Sequence, residues 1–501
     1  MTDDIEMAIK EALAGGDRSR LGTKLPVRER LQLLLDEGSF VEDGLLARAL
    51  EPGLPADGVL TGTGRIDGRI VAVIAHDPTV KAGSWGGATV EKQIRILERA
   101  DADLLPVIYL VDSAGGRLTD QLEFFPGRRG AARIFDLQVR LSGRVPQLCC
   151  LFGPSAAGGA YMPAFCDWVA MVEKNASMSL ASSRIVEVVT GERTTLDDMG
   201  GAEMHTTVSG SGDLLCPDDA SAIEALRDCF SYLPSHFHSL APEAASFAPP
   251  TGSLDGVIPE DDHVSYDIRS VVERLVDHRS FFEIKRTFAA EIVVGFARLA
   301  GAVVGLVANQ PCVRAGAIFV DSADKAARFI TWCDAFNIPL VFLVDVPGFM
   351  VGAEVERQGI IRHGAKMIAA MSSAEVPRIC VVLRKAYAAG YYAMSSPGFG
   401  PRATIALPSA RIAAMGADAA VRAVYTNRIE AIEDLSERER FVEEKQNEYE
   451  QTLGLLRLGS DLYIDAVVAP DRLRDELIER LAAASSWQRE FGRRYHGVWP
   501  V

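Results

Sequence analysis

Two runs of small residues hold the pattern best suited to chemistry, Gly153-Pro-Ser-Ala-Ala-Gly-Gly-Ala-Tyr161 and Arg384-Lys-Ala-Tyr-Ala-Ala-Gly-Tyr-Tyr392. Each follows an apolar stretch opened by a proline, Val145–Phe152 and Val376–Leu383, which reads as a buried strand. A strand that passes through small residues straight into a helix leaves backbone N–H groups free at the helix N-terminus, where they can hold an anion or a developing oxyanion. Gly158 and Gly159 fall at this junction in the first run, Ala389 and Gly390 in the second. A bulky side chain there would keep a substrate carbonyl out of hydrogen-bond distance, and each preorganised donor contributes ~2.7–4 kcal/mol to a transition state. Taken singly, such glycines serve equally well for close helix–sheet packing; their duplication favours the oxyanion reading, with two loops for two carbonyls. Tyr161 and Tyr392 stand two residues beyond Gly159 and Gly390 and are expected to wall a substrate pocket with an apolar ring and one hydroxyl.

Other catalytic constellations find less support. Ser155 sits in Gly-Pro-Ser-Ala-Ala rather than Gly-x-Ser-x-Gly, with no partner acid and base evident from chain order, which argues against a hydrolase nucleophile. His236 and His238 lie in a turn without a glutamate at zinc-ligand spacing, so no metal is expected. No Gly-x-x-x-x-Gly-Lys-Ser/Thr loop for ATP is present. Gly62, Gly64 and Gly68 imitate a dinucleotide fingerprint, but a strand follows them where a helix is required. Arg362, His363 and Lys366 form a compact polar cluster that suits either a site near the second loop or a helix cap or ion pair.

The elements that position the loops repeat. Pro146 and Pro377, Gly158 and Ala389, and Tyr161 and Tyr392 are each separated by 231 residues. A second pair of apolar strands, Leu105–Asp112 and Ile338–Asp345, is offset by 233. A repeat of this length implies a duplicated domain rather than a solenoid. The Pro- and Ala-rich stretch Ala241–Ser253 marks the boundary, giving an N-terminal domain of residues 1–240, a linker over 241–256 and a C-terminal domain of 257–501. Helices are expected within residues 1–20 and at Arg28–Leu35, Glu91–Ala100, Ala323–Phe336, Gly364–Met371, Leu435–Leu453 and Asp471–Leu481. Asp67-Gly68 predicts a hairpin between two strands spanning Val59–Ala75.

Composition agrees with an α/β enzyme. The 501 residues are 48% hydrophobic and 24% charged, and the net charge of −16 argues against nucleic acid or an anionic membrane as partner, since both require basic faces. The eight cysteines lie mostly in apolar runs with no Cys-x-x-Cys pair, as expected of buried free thiols in a reducing compartment. No basic leader or long apolar run is present, which predicts a cytoplasmic protein.

Several motifs, in order along nearly the whole chain, resemble those of the carboxyltransferase (β) subunits of biotin-dependent acyl-CoA carboxylases of the propionyl- and methylcrotonyl-CoA type. They are Lys24-Leu-Pro-Val-Arg-Glu-Arg30, Leu33–Phe40, Ala308-Asn-Gln-Pro311, Asp324–Phe329, Asp345-Val-Pro-Gly-Phe349 and Ile360–Lys366. The resemblance implies an α/β fold of two tandem crotonase-like (ClpP/crotonase superfamily) domains, an acyl-CoA side and a biotin side, usually assembled as a homo-hexamer. It implies that Gly158 and Gly159 stabilise an acyl-CoA enolate, that Ala389 and Gly390 stabilise the enolate-like oxygen of biotin, and that biotin itself takes the substrate proton, which accounts for the missing base. Biotin would arrive on a separate biotin carboxylase/biotin carrier (α) subunit, because the chain has no Ala-Met-Lys-Met-like motif and no ATP-binding half. The second substrate would be a coenzyme A thioester.

Ala388-Ala-Gly-Tyr-Tyr392 and Asp77–Gly83 are similar to the methylcrotonyl type, and Asp345–Phe349 to the propionyl type, so a methylcrotonyl or another short or branched acyl group is expected. The same resemblance admits a non-catalytic structural subunit of a mixed carboxylase ring, or the transferase component of a biotin-dependent decarboxylase.

Overall fold

A computed structural model describes residues 2–251, 253–484 and 496–500. The chain divides into two compact units. The first runs from the N-terminus to Pro242 and takes in Lys285–Phe288 and the tail residues 496–500; the second covers Glu243–Ile284 and continues from Ala289 through the last described helix.

The sheet of the first unit contains β1 (Val41–Asp43), β2 (Val59–Ile66), β3 (Arg69–His76), β4 (Val107–Ser113), β5 (Gln147–Ala156), β6 (Trp168–Val172), β7 (Ser177–Ser179) and β8 (Leu214–Cys216). Its order is β1-β2-β3-β4-β5-β6-β8, with β7 paired to the far half of β5. Pairing is antiparallel from β1 to β3 and parallel from β3 onward. The sheet of the second unit contains β9 (Phe282–Ile284), β10 (Ile292–Leu299), β11 (Ala302–Asn309), β12 (Leu340–Val346), β13 (Arg378–Tyr387), β14 (Ala403–Ala406), β15 (Arg411–Ala413) and β16 (Ala466–Val467). It follows the same plan, β9-β10-β11-β12-β13-β14-β16, with β15 beside the far half of β13.

The duplication extends to register. Val107 pairs with Gln147 and Leu340 with Arg378, and the ladder slips at Asp112 in one unit and at Asp345 in the other. The central parallel strands are buried on both faces, and for that reason they read as unbroken apolar runs rather than alternating ones. Helix Gly87–Asp103 crosses from β3 to β4, and helix Val320–Ala335 makes the equivalent crossing from β11 to β12. Lys92 and Lys325 hold these helices in the same way: each buried ammonium donates to two carbonyls at the start of the adjoining hairpin, Ala56 and Val59 for one, Ala289 and Ile292 for the other.

Most expected elements are present with boundaries moved by a few residues. Asp67 and Gly68 both take positive φ, as a two-residue hairpin turn requires. Gly62 and Gly64 lie inside β2, where a Cβ on Gly62 would fall 2.2 Å from the Val41 carbonyl oxygen of the paired strand and one on Gly64 2.6 Å from the Leu35 side chain, so these glycines serve packing and not a nucleotide. Two readings need correction. The strands opened by Pro146 and Pro377 do not stop at Phe152 and Leu383 but each runs four residues further, to Ala156 and Tyr387, because β7 and β15 supply new partners where β6 and β14 leave off. Seven cysteines are free and buried, but Cys312, which lies in the turn after β11, is exposed.

Candidate active site

Both strand-to-helix junctions are built alike. β5 ends at Ala156 and passes into the short turn Ala157–Ala160 and helix Tyr161–Ala164; β13 ends at Tyr387 and passes into helix Ala388–Ala393. At each switch an alanine takes the left-handed conformation, Ala157 at φ 55° and Ala388 at φ 51°. That conformation costs a non-glycine residue about 1–2 kcal/mol. The chain therefore turns abruptly, and the next two residues, Gly158 and Gly159 or Ala389 and Gly390, fall in the first turn; the amides of Ala389 and Gly390 come before the first α-helical bond, while in the tighter 3-10 turn only that of Gly158 does.

The structure separates the two readings of the small residues. Gly158 is exposed, and a Cβ built on it would meet nothing within 4 Å. Gly159 is buried, and its Cβ would make only ordinary contacts, 3.7 Å to Ser155 Oγ and 3.9 Å to Trp85. Packing within the unit thus does not demand either glycine, and the open side of Gly158 is room for a ligand atom. Gly390 differs. Its Cβ would lie 2.7 Å from Gly348 Cα and 3.0 Å from Val346, so here close packing does require glycine, while Ala389 beside it is exposed. A bulky residue at 390 would therefore disturb the fold as well as any site.

Tyr161 and Tyr392 are half-exposed, at 46% and 55% of full accessibility. Tyr161 packs edge-on to Phe135 with centroids 6.2 Å apart and lies 6.4 Å from Phe165; Tyr392 lies 6.4 Å from Phe399. Each trio of predicted site residues is gathered into one junction within its own unit.

Residues that sequence reading passed over support these junctions. Asp112 and Asp345, at the ladder slips, are fully buried carboxylates. Lys24 binds Asp112 at 2.9 Å and Arg30 binds it at 3.3 Å, while Arg30 also reaches Asp219 at 2.8 Å. Arg384 donates to Asp345 at 3.0 Å and to the carbonyls of Asp261 and Val264 at 2.9 and 2.8 Å, tying a surface loop to the end of β13. The repeated Leu-Val-Asp strand endings were the signal for these carboxylates. Ser155 is 2% exposed and donates to the Gly159 carbonyl at 2.9 Å, a structural bond, in keeping with the argument against a nucleophile.

His363 and Lys366 both bind Asp324, each at 2.8 Å, joining helix Ile360–Ser373 to helix Val320–Ala335, and Arg362 lies 3.1 Å from His363. The Arg362–Lys366 cluster is thus an ion-paired helix contact. His236 and His238 are partly buried, ring centroids 6.0 Å apart, and no carboxylate or thiol joins them among the described residues at metal-ligand distances. No described helix is long and apolar enough to cross a membrane.

Each unit thus carries one such turn, with small residues exposed at its start and no acid–base pair beside it among the described residues. Each turn can stabilise negative charge developing on an oxygen. In the second unit a cavity of about 320 Å³ is lined by Tyr387, the residue that precedes the turn, and by Ile412, Met415 and Tyr449; Ala389, Gly390 and Tyr392 are not part of its wall.

Comparison with known proteins bears on what those oxygens belong to. The family described as the carboxyl transferase domain matches residues 20–499. An uncharacterized carboxylase of Bacillus subtilis (strain 168), YngE, is 54% identical over 95% of this chain and 94% of its own. The carboxyltransferase subunit of propionyl-CoA carboxylase from Haloferax mediterranei is 37% identical over 100% and 99%. Among solved structures, a transcarboxylase 12S hexamer with methylmalonyl-coenzyme A and methylmalonic acid bound superimposes with a TM-score of 0.92 at 36% identity, covering 100% of this chain and 98% of the other.

Proposed function

The chain belongs to the carboxyl transferase domain family and is a carboxyltransferase of the biotin-dependent acyl-CoA carboxylase kind with two tandem crotonase-like domains, and from that premise we propose what it transfers, to what and with which residues. It moves a carboxyl group from biotin borne on a separate biotin carboxylase/carrier subunit to the α- or vinylogous carbon of a short or branched acyl-CoA. Methylcrotonyl-CoA is the member of that class suggested by the resemblance of Ala388-Ala-Gly-Tyr-Tyr392 to the methylcrotonyl type. Bound biotin supplies the carboxyl group and a nitrogen able to take the substrate proton. The chain's own part is to hold charge: the amides of Gly158 and Gly159 face the thioester oxygen as it becomes an enolate, and those of Ala389 and Gly390 face the ureido oxygen. Tyr161 and Tyr392 wall the two entrances. Assembly as a hexamer, like the transcarboxylase 12S structure, is part of this reading.

The observation that carries the proposal is the open space at Gly158, which is exposed and where a Cβ would meet nothing within 4 Å, so that packing within its unit gives no reason for a glycine there. That argues for a catalytic rather than a purely structural subunit. The test is to purify the chain with its co-purifying subunits and to supply ATP, bicarbonate and a panel of acyl-CoA thioesters. The expected result is carboxylation that needs a biotinylated partner and prefers a branched or unsaturated short acyl group. ATP-dependent carboxylation by the chain alone, or none by the assembled complex on any member of the panel, would overturn it.

A further inference from the structure

The two amide turns share a backbone and differ in what holds them. In the first unit the Ser155 hydroxyl donates to the Gly159 carbonyl at 2.9 Å, and the indole of Trp85 lies on the side of Gly159 where a Cβ would point, 3.9 Å from that position. The Trp85 Nε1–H donates to Nε2 of His76 at 3.0 Å, with ring planes 11° apart. An indole N–H can only donate, so Nε2 accepts and the imidazole is neutral, its proton on Nδ1. Ser155, Trp85 and His76 are all buried. The backbone of Trp85 is pinned on both sides, its N–H to the Gly115 carbonyl at 2.8 Å and its carbonyl to the Arg117 N–H at 2.9 Å.

In the second unit the backbone bonds recur at Ile318, whose N–H donates to Gly348 and whose carbonyl accepts from Met350. The side chains do not. Ile318, Ala386 and Asn309 stand where Trp85, Ser155 and His76 stand in the first unit, and Gly390 is seated directly on the Gly348 backbone instead. The contrast has a physical reason. Two successive glycines have the widest backbone freedom of any dipeptide, and amides stabilise an oxyanion only when they are already aimed at it. Gly158-Gly159 therefore needs a restraint from outside, which Ala389-Gly390 obtains from its own side chain and from close packing.

We propose that Ser155 and the Trp85–His76 pair are positioning residues that aim the Gly158 and Gly159 amides, and that they act on the acyl half of the reaction alone. The inference rests on the assignment of Gly158 and Gly159 as the acyl-side donors.

The test uses the assembled holoenzyme with Ser155→Ala, which installs the residue found at the equivalent position 386, and measures two rates: acyl-CoA carboxylation, and loss of the carboxyl group from biotin with no acyl-CoA present. The expected result is a fall in kcat of roughly ten-fold with KM for the thioester within about two-fold, the signature of an interaction made only in the transition state, and an unchanged acyl-independent rate. Trp85→Phe, which keeps a ring and removes the N–H, is expected to act in the same direction and decides the question if Ser155→Ala does not assemble. Unchanged kcat, or a parallel fall in both rates, would overturn the proposal. Neither result would touch the assignment of the reaction itself, which fails only if the unmodified holoenzyme carboxylates no acyl-CoA.

Discussion

Gly153 and Arg384 occupy the same place in the two repeats and solve the same problem in opposite ways. Each lies beside the buried carboxylate at the end of the neighbouring strand. A Cβ on Gly153 would fall 1.9 Å from Asp112 Oδ1, so the strand yields its space, and the counter-charge arrives from the N-terminal segment as Lys24 and Arg30. Arg384 carries the counter-charge on the strand itself, 3.0 Å from Asp345. Buried charge must be paired, and removing one partner strands the other at a cost of about 3–5 kcal/mol. Both solutions keep the strand before each amide turn in register.

Arg30→Met should therefore destabilise the first unit by roughly 3–5 kcal/mol, since Arg30 is fully buried and serves both Asp112 and Asp219. Lys24→Met should cost less, because the lysine is partly in water and Arg30 remains to neutralise Asp112. Chemical denaturation of the two variants measures the difference; equal losses would contradict this division of labour.

Gly158→Val is expected to keep the melting temperature near that of the unmodified chain, since its Cβ meets nothing within 4 Å. It should lower carboxyl transfer by ~10²–10³-fold, the scale of a lost oxyanion donor. Gly390→Ala should instead lower stability by ~1–3 kcal/mol through overpacking against Gly348. Melting curves read beside holoenzyme turnover separate the two cases, and a Gly158→Val protein that turns over normally would remove the amide from the site.

His76 predicts an acid limb in stability. Burial holds its pKa down to about 4, against the opposing pull of the Asp112 charge and the Leu110 carbonyl. An unfolded histidine titrates near 6.5, so between these values the unfolded chain binds the extra proton. The contribution is whole above about pH 6.5, is lost as pH falls toward 4, and amounts to about 3 kcal/mol. His76→Asn, the residue at the equivalent position 309, should flatten that limb. Unfolding free energies at pH 7 and 4.5 test it, and an unchanged difference between the two pH values would refute it.

Tyr392→Asp should shift the ratio of kcat/KM values away from a branched or unsaturated acyl-CoA and toward acetyl- or propionyl-CoA. The side chain is more than half exposed at the rim of the second turn, so the change alters the wall without opening a cavity. One methylene of misfit is worth only ~1–3 kcal/mol, which bounds the shift to about 10–200-fold. Competition assays with the holoenzyme measure the ratio; an active variant with the original ratio would return Tyr392 to a packing role.

The sequence by itself determined the duplication, the buried parallel strands and the two runs of small residues, because each is written in local pattern: apolar stretches opened by proline, turn residues, and repeats at fixed offsets. It also excluded the common nucleophile and nucleotide motifs. What it could not convey depends on residues far apart in the chain. That Ala157 and Ala388 are left-handed follows from β7 and β15 drawing the far halves of β5 and β13 past the point where their first partners end. That Gly159 has only ordinary contacts while Gly390, at the equivalent position, is wedged against Gly348 is a matter of how closely the neighbouring loop approaches each turn. Near-identical motifs thus meet different neighbours, and only the tertiary structure decides which small residue borders open space and which leaves room for the protein.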